Sequence, residues 1–153
     1  MIANGGTLFQ PHLLKAQMKV IKNQNLISNS TEDLIRKGMI GACEPGGVAW
    51  PIFNYKIKNV ALKIDGKNIF AVSEASTSAN FADERHVVVA CKTGTAEFGG
   101  TDTKPHAWLT LFAPAFNPQI VVTVLKESSG EGSNEAGPIA KKILDAYFEN
   151  AKF

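Results

Sequence analysis

Three apolar runs in the second half of the chain are separated by polar connections and predict neighbouring strands. The runs cover residues 87–95, 106–113 and 120–126, and the connections are short and rich in Gly, Pro and Asn. Connections of this length favour antiparallel pairing. The stretch from Val121 to Leu125 is almost continuously apolar, which is typical of a strand covered on both faces. A helix that packs on this sheet is predicted at the end of the chain.

The periodic segments outside the sheet predict two helices. The first begins near Thr31, with Ser30 or Thr31 as its N-cap and acidic residues in its first turn, and Gly41 is a candidate for its end. The second has Pro138 in its first turn, where a missing N–H costs little. Each helix has an apolar stripe that we expect to be buried. The stripes are Leu34, Ile35, Met39 and Ile40 in the first helix, and Ile139, Ile143, Leu144 and Tyr147 or Phe148 in the second.

The remaining segments predict extended stretches, a hairpin and a polar loop. Residues 7–14 are extended, and the strand pattern resumes at residues 18–21. An Asp-Gly pair between two apolar runs is a strong signal for a hairpin over residues 60–72. Residues 128–134 have the composition of a flexible loop. With no internal repeat and no linker, the pattern indicates one α+β domain, an antiparallel sheet with a packed C-terminal helix.

Length and composition fit one globular domain. The chain has 153 residues, of which 44% are hydrophobic, enough for a single core. Charged residues make up 20% and the formal net charge is +2, without the clustered basic residues of a nucleic-acid-binding protein. No apolar run approaches the ~20 residues that cross a bilayer, and the amino terminus lacks a signal-peptide pattern. No spacing of His or Cys indicates a metal site, and no cofactor is expected. The sequence alone therefore predicts a soluble domain.

The tetrapeptide Lys92-Thr93-Gly94-Thr95 ends one of the predicted strands and carries the candidate chemistry. On a strand, alternate side chains share a face, so Lys92 and Gly94 point one way and Thr93 and Thr95 the other. A cation and two hydroxyl groups along one strand edge can hold a carboxylate. A glycine between them lets a substrate backbone lie close to the strand. Elements of this kind mark serine-acyl enzymes, although the same three letters also end ordinary strands.

A phosphate-binding loop is a competing explanation of the pair Lys92-Thr93. Such a loop needs the pattern Gly-x-x-x-x-Gly-Lys-Thr. The two glycine positions are occupied by His86 and Cys91, so the pattern fails at both of them.

Six segments spread over nearly the whole chain match one protein family in the family's own order. The tetrapeptide continues into Ala96-Glu97 without a gap. The other segments are Met1-Ile2-Ala3-Asn4-Gly5-Gly6-Thr7-Leu8 with Pro11-His12-Leu13, Glu44-Pro45-Gly46-Gly47-Val48-Ala49, His106-Ala107-Trp108-Leu109, Phe112-Ala113-Pro114, and residues 136–144. Together they resemble the class B penicillin-binding transpeptidases, most of all the elongation-type subgroup associated with cell shape. The resemblance implies the penicillin-binding and serine β-lactamase-like fold.

The family's two other motifs are not where the resemblance requires them. No Ser-x-x-Lys occurs in the chain, so the acylated serine and its lysine are missing. Ser78-Ala79-Asn80 spells the second motif, but it lies too late in the chain and we expect it to be a loop. The resemblance implies that residues 1–153 are the C-terminal portion of a transpeptidase domain, either an expressed piece or a truncated reading frame. The nucleophile-bearing half and a membrane anchor would lie upstream, and the intact parent would act on the extracytoplasmic face of the bacterial cell membrane.

For the intact parent, the resemblance implies a peptidoglycan D,D-transpeptidase that crosslinks stem peptides through a serine acyl-enzyme. Its partners would be the D-Ala-D-Ala stem peptide, β-lactams such as penicillin, and the upstream half of the same domain. Lys92 would supply positive potential, Thr93 and Thr95 would bind the substrate carboxylate, and Gly94 would give access to the strand. The backbone N–H of Thr95 would form half of the oxyanion hole. The chain alone is expected to be inactive, and the alternative is a non-catalytic interaction or regulatory domain that retains the sheet.

The cysteines and the aromatic residues near the motif have structural or open interpretations. Cys43 and Cys91 are either a disulfide of an oxidising compartment or two small buried hydrophobic residues. Cys91 stands where the family usually has Gly. Trp108 is expected in the core rather than as a substrate platform. Glu97 and Phe98 are expected at the edge of the cleft.

Overall fold

The structure, a computed structural model, describes residues 1–14, 16–58, 63–64, 67–68, 84–100 and 103–150. Its strands and helices are, in chain order, β1 (Leu8–Phe9), β2 (Ile21–Asn23), α1 (Asn29–Cys43), β3 (Lys56–Lys58), β4 (Lys63–Ile64), β5 (Lys67–Asn68), β6 (Glu84–His86), β7 (Ala90–Ala96), β8 (His106–Ala113), β9 (Ile120–Lys126) and α2 (Gly137–Asn150). Short 3-10 turns cover Ile2–Asn4 and Trp50–Ile52, and a π-helical turn over Gly132–Ala136 leads directly into α2. No helix in these ranges is long and apolar enough to span a membrane.

The main sheet has three antiparallel strands in the order β7-β8-β9. β8 and β9 have the predicted bounds, and the predicted α+β class with a packed C-terminal helix is confirmed. β7 begins at Ala90, so the prediction that this strand begins at residue 87 is wrong. The backbone N–H of Val87 instead donates to the carbonyl of Tyr55 over 2.9 Å, which extends the separate pair formed by β3 and β6.

The core lies between one face of this sheet and α2. Alternate residues of β8 and β9 are buried there, as expected for strands that are covered on one face. These residues are Ala107, Leu109, Leu111, Ala113, Val122 and Val124.

α2 contributes Ala140, Leu144 and Phe148 to the core, and these residues follow one another at intervals of about one helical turn. The predicted burial of Leu144 and Phe148 is confirmed. The predicted burial of Ile139 and Ile143 is wrong, because each is 39% exposed. Side chains one turn apart share a face, so a contact stripe centred on Ala140 and Leu144 leaves the two isoleucines on its flank.

Part of the opposite face of the sheet is open among the described residues. Val121 and Leu125 on β9 are 60% and 44% exposed, so the prediction that this strand is covered on both faces is wrong. Trp108 lies opposite Leu125 and is 37% exposed, and its predicted place in the core is also wrong. We refer to Trp108, Val121 and Leu125 as the open face.

α1 packs beside β7 through a surface that contains an ion pair. Glu32, which is buried, pairs with Arg36, and Nη1 of Arg36 also donates to the carbonyl of Ala115 over 2.8 Å. Met39 and Ile40 follow further along the helix and pack on a small apolar cluster. The polar contacts of Glu32 and Arg36 therefore anchor one end of the interface, and apolar contacts anchor the other.

The apolar stripe predicted for α1 is only half correct. Met39 and Ile40 are partly buried, whereas Leu34 and Ile35 are 72% and 37% exposed. The ion pair explains the difference, because two paired and hydrogen-bonded charges can occupy a contact surface that hydrophobicity alone assigns to leucine and isoleucine.

The ends of α1 also differ from their predicted positions. Ser28 is the N-cap, and its hydroxyl oxygen accepts a hydrogen bond from the N–H of Thr31 over 3.1 Å. The predicted cap at Ser30 or Thr31 is therefore wrong. The helix continues beyond Gly41 and ends at Cys43.

The smaller predicted segments are described only in part. β1 and β2 pair antiparallel but are two and three residues long, shorter than the extended stretches predicted there. β4 and β5 also pair antiparallel, which agrees with the predicted hairpin. Its Asp65-Gly66 turn lies outside the described residues, as does Ser78-Ala79-Asn80. The flexible loop predicted over residues 128–134 is wrong in its second half, where the π-helical turn begins.

Candidate functional site

The motif lies on β7, one of the two outer strands of the main sheet in the described part of the chain. Thr93 lies opposite Leu109, which is buried against α2, so Thr93 and Thr95 point to the face that α2 covers. Lys92 and Gly94 point to the other face. The alternation predicted from the sequence is therefore present. Because β7 pairs only with β8 in the described ranges, alternate N–H and C=O groups along its other edge have no partner strand there.

Thr93 and Thr95 line a cavity of about 310 Å³. The strand forms one wall, the segment after α1 forms a second, and the turn before α2 forms a third. The residues that complete the lining are Val48, Trp50, Glu131, Gly132, Ser133 and Asn134. The fold thus brings the two threonines of the motif together with two segments that are distant in the sequence.

Gly132 lets the turn before α2 lie flat on the sheet. A Cβ at this position would lie 2.2 Å from the carbonyl oxygen of Trp108 and 2.7 Å from that of Gly94. Both are backbone atoms held in strands, so a larger residue has no room. Gly94 has a constraint of its own, because its Cβ would lie 3.2 Å from the Cβ of Trp108. Cross-strand packing is therefore one physical reason for the glycine of the motif.

Hydrogen bonds join the second and third walls of the cavity. Nε1 of Trp50 donates to Oδ1 of Asn134 over 3.1 Å, and Nδ2 of Asn134 donates to Oε2 of Glu131 over 3.3 Å. The hydroxyl of Ser133 donates to the carbonyl of Val48 over 2.6 Å. The amide of Asn134 thus has a donor on one side and an acceptor on the other, which defines its orientation. Trp50 is 55% exposed, so its anchored indole remains accessible to a ligand.

Lys92 is exposed, and its Nζ donates to the carbonyl of Thr93. It lies on the opposite face of β7 from the two threonines and does not line their cavity. A second exposed cation, Lys126, pairs with Glu135 in the turn before α2. The hydrogen bond from Lys126, and then its charge, hold the pKa of the Glu135 carboxyl below its usual value.

An aromatic stack stands beyond the end of β7. The rings of Phe98 and His106 are stacked with their centroids 3.9 Å apart, and Nδ1 of His106 accepts a hydrogen bond from the N–H of Ser128 over 3.0 Å. Glu97 and Phe98 are exposed and do not line the cavity. Their place at the edge of a cleft stays a prediction.

A disulfide bond joins Cys43 to Cys91, whose Cα atoms are 5.8 Å apart. Both residues are buried in the core. The structure thus decides between the two alternatives that the sequence leaves open. Because Cys91 directly precedes Lys92, the bond ties the end of α1 to the strand at the start of the motif.

The residues that complete the cavity have weak signals in the sequence. The family-like segment ends at Ala49, one residue before Trp50. Residues 128–134 have the composition of an ordinary loop, so nothing in the sequence marks Asn134 as a site residue. The one usable signal is that Trp50 follows a glycine-containing loop, since binding residues are concentrated in loops. No group of three His, Cys, Asp or Glu side chains in the described ranges could hold a metal ion.

Comparison with known proteins shows the family of the chain. The family model described as penicillin binding protein transpeptidase domain matches residues 1–145. Peptidoglycan D,D-transpeptidase MrdA of Haemophilus influenzae is 29% identical in an alignment 160 positions long, and the alignment covers 96% of this chain and 22% of that protein. Peptidoglycan D,D-transpeptidase PbpA of Mycobacterium tuberculosis is 46% identical in an alignment 71 positions long, and the alignment covers 41% of this chain and 14% of that protein.

A solved structure shows a similar fold. Penicillin-Binding Protein (PBP2) from Helicobacter pylori has a TM-score of 0.65 at 24% identity, over 99% of this chain and 23% of its own. The chain spans only 22% and 14% of the length of the two curated relatives above. The resemblance recognised from the ordered motifs is confirmed, and the chain belongs to the family of penicillin-binding protein transpeptidase domains.

Proposed function

We propose that residues 1–153 are the C-terminal portion of the transpeptidase domain of a peptidoglycan D,D-transpeptidase. The observation that carries the proposal is the cavity beside β7, which both Thr93 and Thr95 line. The family match over residues 1–145 and the names of the two relatives support it. The activity then belongs to a longer polypeptide, and this chain supplies the part of the active site that binds the substrate carboxylate.

In the parent enzyme, a serine outside this chain attacks the peptide bond between the last two residues of a D-Ala-D-Ala stem peptide. The attack forms an acyl-enzyme and releases D-alanine. The amine of a second stem peptide then takes the acyl group, which forms the crosslink and frees the serine. Penicillin and other β-lactams acylate the same serine.

The residues of β7 have separate roles in this reaction. Thr93 and Thr95 bind the carboxylate of the terminal D-alanine, because two hydroxyl donors on one wall match its two oxygens. Lys92 supplies positive potential near the serine and its lysine, and Gly94 keeps the strand backbone uncovered. The backbone N–H of Thr95 donates to the developing oxyanion, and the loss of one such donor costs roughly 3–4 kcal/mol of transition-state stabilisation.

The upstream half of the domain is the partner that completes the site. Lys92 and the open face lie on the same side of the sheet. Exposed apolar surface of this kind is typical of a surface that lacks its partner. Helices that carry the serine and its lysine would pack there and bring both groups beside Lys92.

The proposed location of the parent is the extracytoplasmic face of the bacterial cell membrane, held by an anchor outside this chain. The disulfide between Cys43 and Cys91 supports an oxidising compartment, where structural disulfides persist. The net charge of +2 gives no support to a nucleic-acid partner.

Labelling with a fluorescent penicillin tests the proposed function. We expect the parent polypeptide to form an adduct that survives denaturation. The chain alone should form none, because no serine in it has a lysine three residues further on. An adduct mapped to Ser78 of the isolated chain would contradict this expectation. A folded parent that remains unlabelled would favour the alternative, a non-catalytic interaction or regulatory domain that retains the sheet.

A further inference from the structure

We propose that Trp50 selects the side chain of the terminal residue of the stem peptide, an inference that rests on the function proposed above. Trp50 lines the same cavity as Thr93 and Thr95. The terminal residue carries its carboxylate and its side chain on one carbon atom. When the threonines hold the carboxylate, the side chain therefore lies within reach of the other walls of the cavity.

The indole of Trp50 is the largest apolar surface on those walls. It is accessible, since the residue is 55% exposed, and it is held in place by its hydrogen bond to Asn134. A methyl group gains free energy when it leaves water for an aromatic surface, whereas glycine has no group to contribute. The cavity therefore favours a terminal D-alanine over a terminal glycine.

Asn134 acts on this selection as a positioning residue. Its amide lies between Nε1 of Trp50 and the carboxylate of Glu131, at 3.1 and 3.3 Å. Gly132 places the same turn against the backbone of β7 and β8. The hydrogen bonds of Asn134 thus hold the indole plane in a fixed orientation relative to β7, the strand that carries the threonines. Loss of the Asn134 amide leaves the ring present but free to rotate.

Donor peptides that end in D-alanine or in glycine test this role in the parent enzyme. We expect the parent to favour the D-alanine peptide by about tenfold in kcat/KM, the lower end of what one methyl group provides in a pocket. Trp50→Ala should reduce this ratio to less than about threefold, mainly by slowing the D-alanine peptide. Trp50→Phe should retain most of the preference, because an aromatic face remains. Asn134→Leu, which removes the hydrogen bonds at similar size, should give an intermediate ratio.

Phe116→Ala is the matched control, because Phe116 is an aromatic residue of similar exposure, 58%, in the connection between β8 and β9. It should leave the ratio unchanged. The inference is overturned if Trp50→Ala keeps the tenfold preference. If both peptides slow by the same factor while the ratio stays at about ten, Trp50 only supports the threonines. Penicillin labelling distinguishes the two levels of failure. A labelled parent with an unchanged ratio keeps the proposed function and loses this inference, whereas an unlabelled parent loses the proposed function itself.

Discussion

At the scale of single residues, β7 separates charge from hydrogen bonding. Lys92 is exposed on one face of the strand, and Thr93 and Thr95 line a cavity on the other. Neighbouring positions separate in this way because side chains alternate along a strand. In the proposed function, the cation acts on groups that another part of the domain brings to it, while the hydroxyls hold the substrate carboxylate. A change at Lys92 should therefore affect the chemistry and leave the core intact.

Lys92→Ala in the parent enzyme should slow acylation by penicillin by roughly a hundredfold, because it removes a preorganised positive group from the site. The free energy of unfolding should change by less than about 0.5 kcal/mol, since an exposed side chain outside the core contributes little. Labelling rates and urea denaturation measure the two effects. Lys142→Ala removes an exposed lysine from α2 and should change neither. Equal acylation rates for Lys92→Ala and the parent would remove Lys92 from the mechanism.

At the scale of elements, the π-helical turn before α2 determines how closely the third wall of the cavity approaches the strand. The turn touches the backbone of β7 and β8 at Gly132, and it continues into a helix whose Leu144 and Phe148 are in the core. The position of Gly132 is thus restricted by the sheet on one side and by the core packing of α2 on the other. Added volume at this point should displace either the turn or the helix.

Gly132→Ala should destabilise the chain by about 2–3 kcal/mol, because its Cβ would overlap the carbonyl oxygens of Trp108 and Gly94. Gly38→Ala is the control for the same chemical change. Gly38 lies inside α1 with no atom within 4 Å of its added Cβ, so that variant should gain about 0.5–1 kcal/mol. Urea denaturation measures both. A Gly132→Ala variant as stable as the unsubstituted chain would show that the turn does not rest on the sheet.

The elements differ in how far the sequence determines them. The first and last residues of β8 and β9 could be predicted from the sequence, because turn residues flank each apolar run. The contact face of α1 could not be predicted, because it depends on the pairing of Glu32 with Arg36 and on a carbonyl far along the chain. The lining of the cavity could not be predicted for the same reason, because the hydrogen bond between Trp50 and Asn134 joins residues that are 84 positions apart in the sequence. Local sequence patterns indicate the periodicity of an element and the turns that limit it, but they do not indicate contacts between distant residues.

At the scale of the whole molecule, the sheet is closed on one side by α2, and on the other side it is partly open among the residues that the structure describes. α1 is attached beside β7 by the Glu32–Arg36 surface, by a small apolar cluster and by the disulfide between Cys43 and Cys91. Of these three attachments only the disulfide is covalent, and its Cys91 directly precedes Lys92 of the motif. Its contribution can be separated from that of the non-covalent contacts.

Reduction of the Cys43–Cys91 bond should lower the free energy of unfolding of the chain by about 2–4 kcal/mol. The bond closes a loop across 48 positions, and a crosslink of that span restricts the unfolded chain strongly. Both cysteines are buried, at 4% and 0% exposure, and the reduced thiols remain small apolar groups in the core, so the loss should come mainly from the unfolded state. Urea denaturation with and without reductant measures the difference. The double variant Cys43→Ala, Cys91→Ala is the control and should not respond to reductant. Equal denaturation midpoints for the oxidised and reduced chain would show that packing and the ion pair alone hold α1 beside the motif strand.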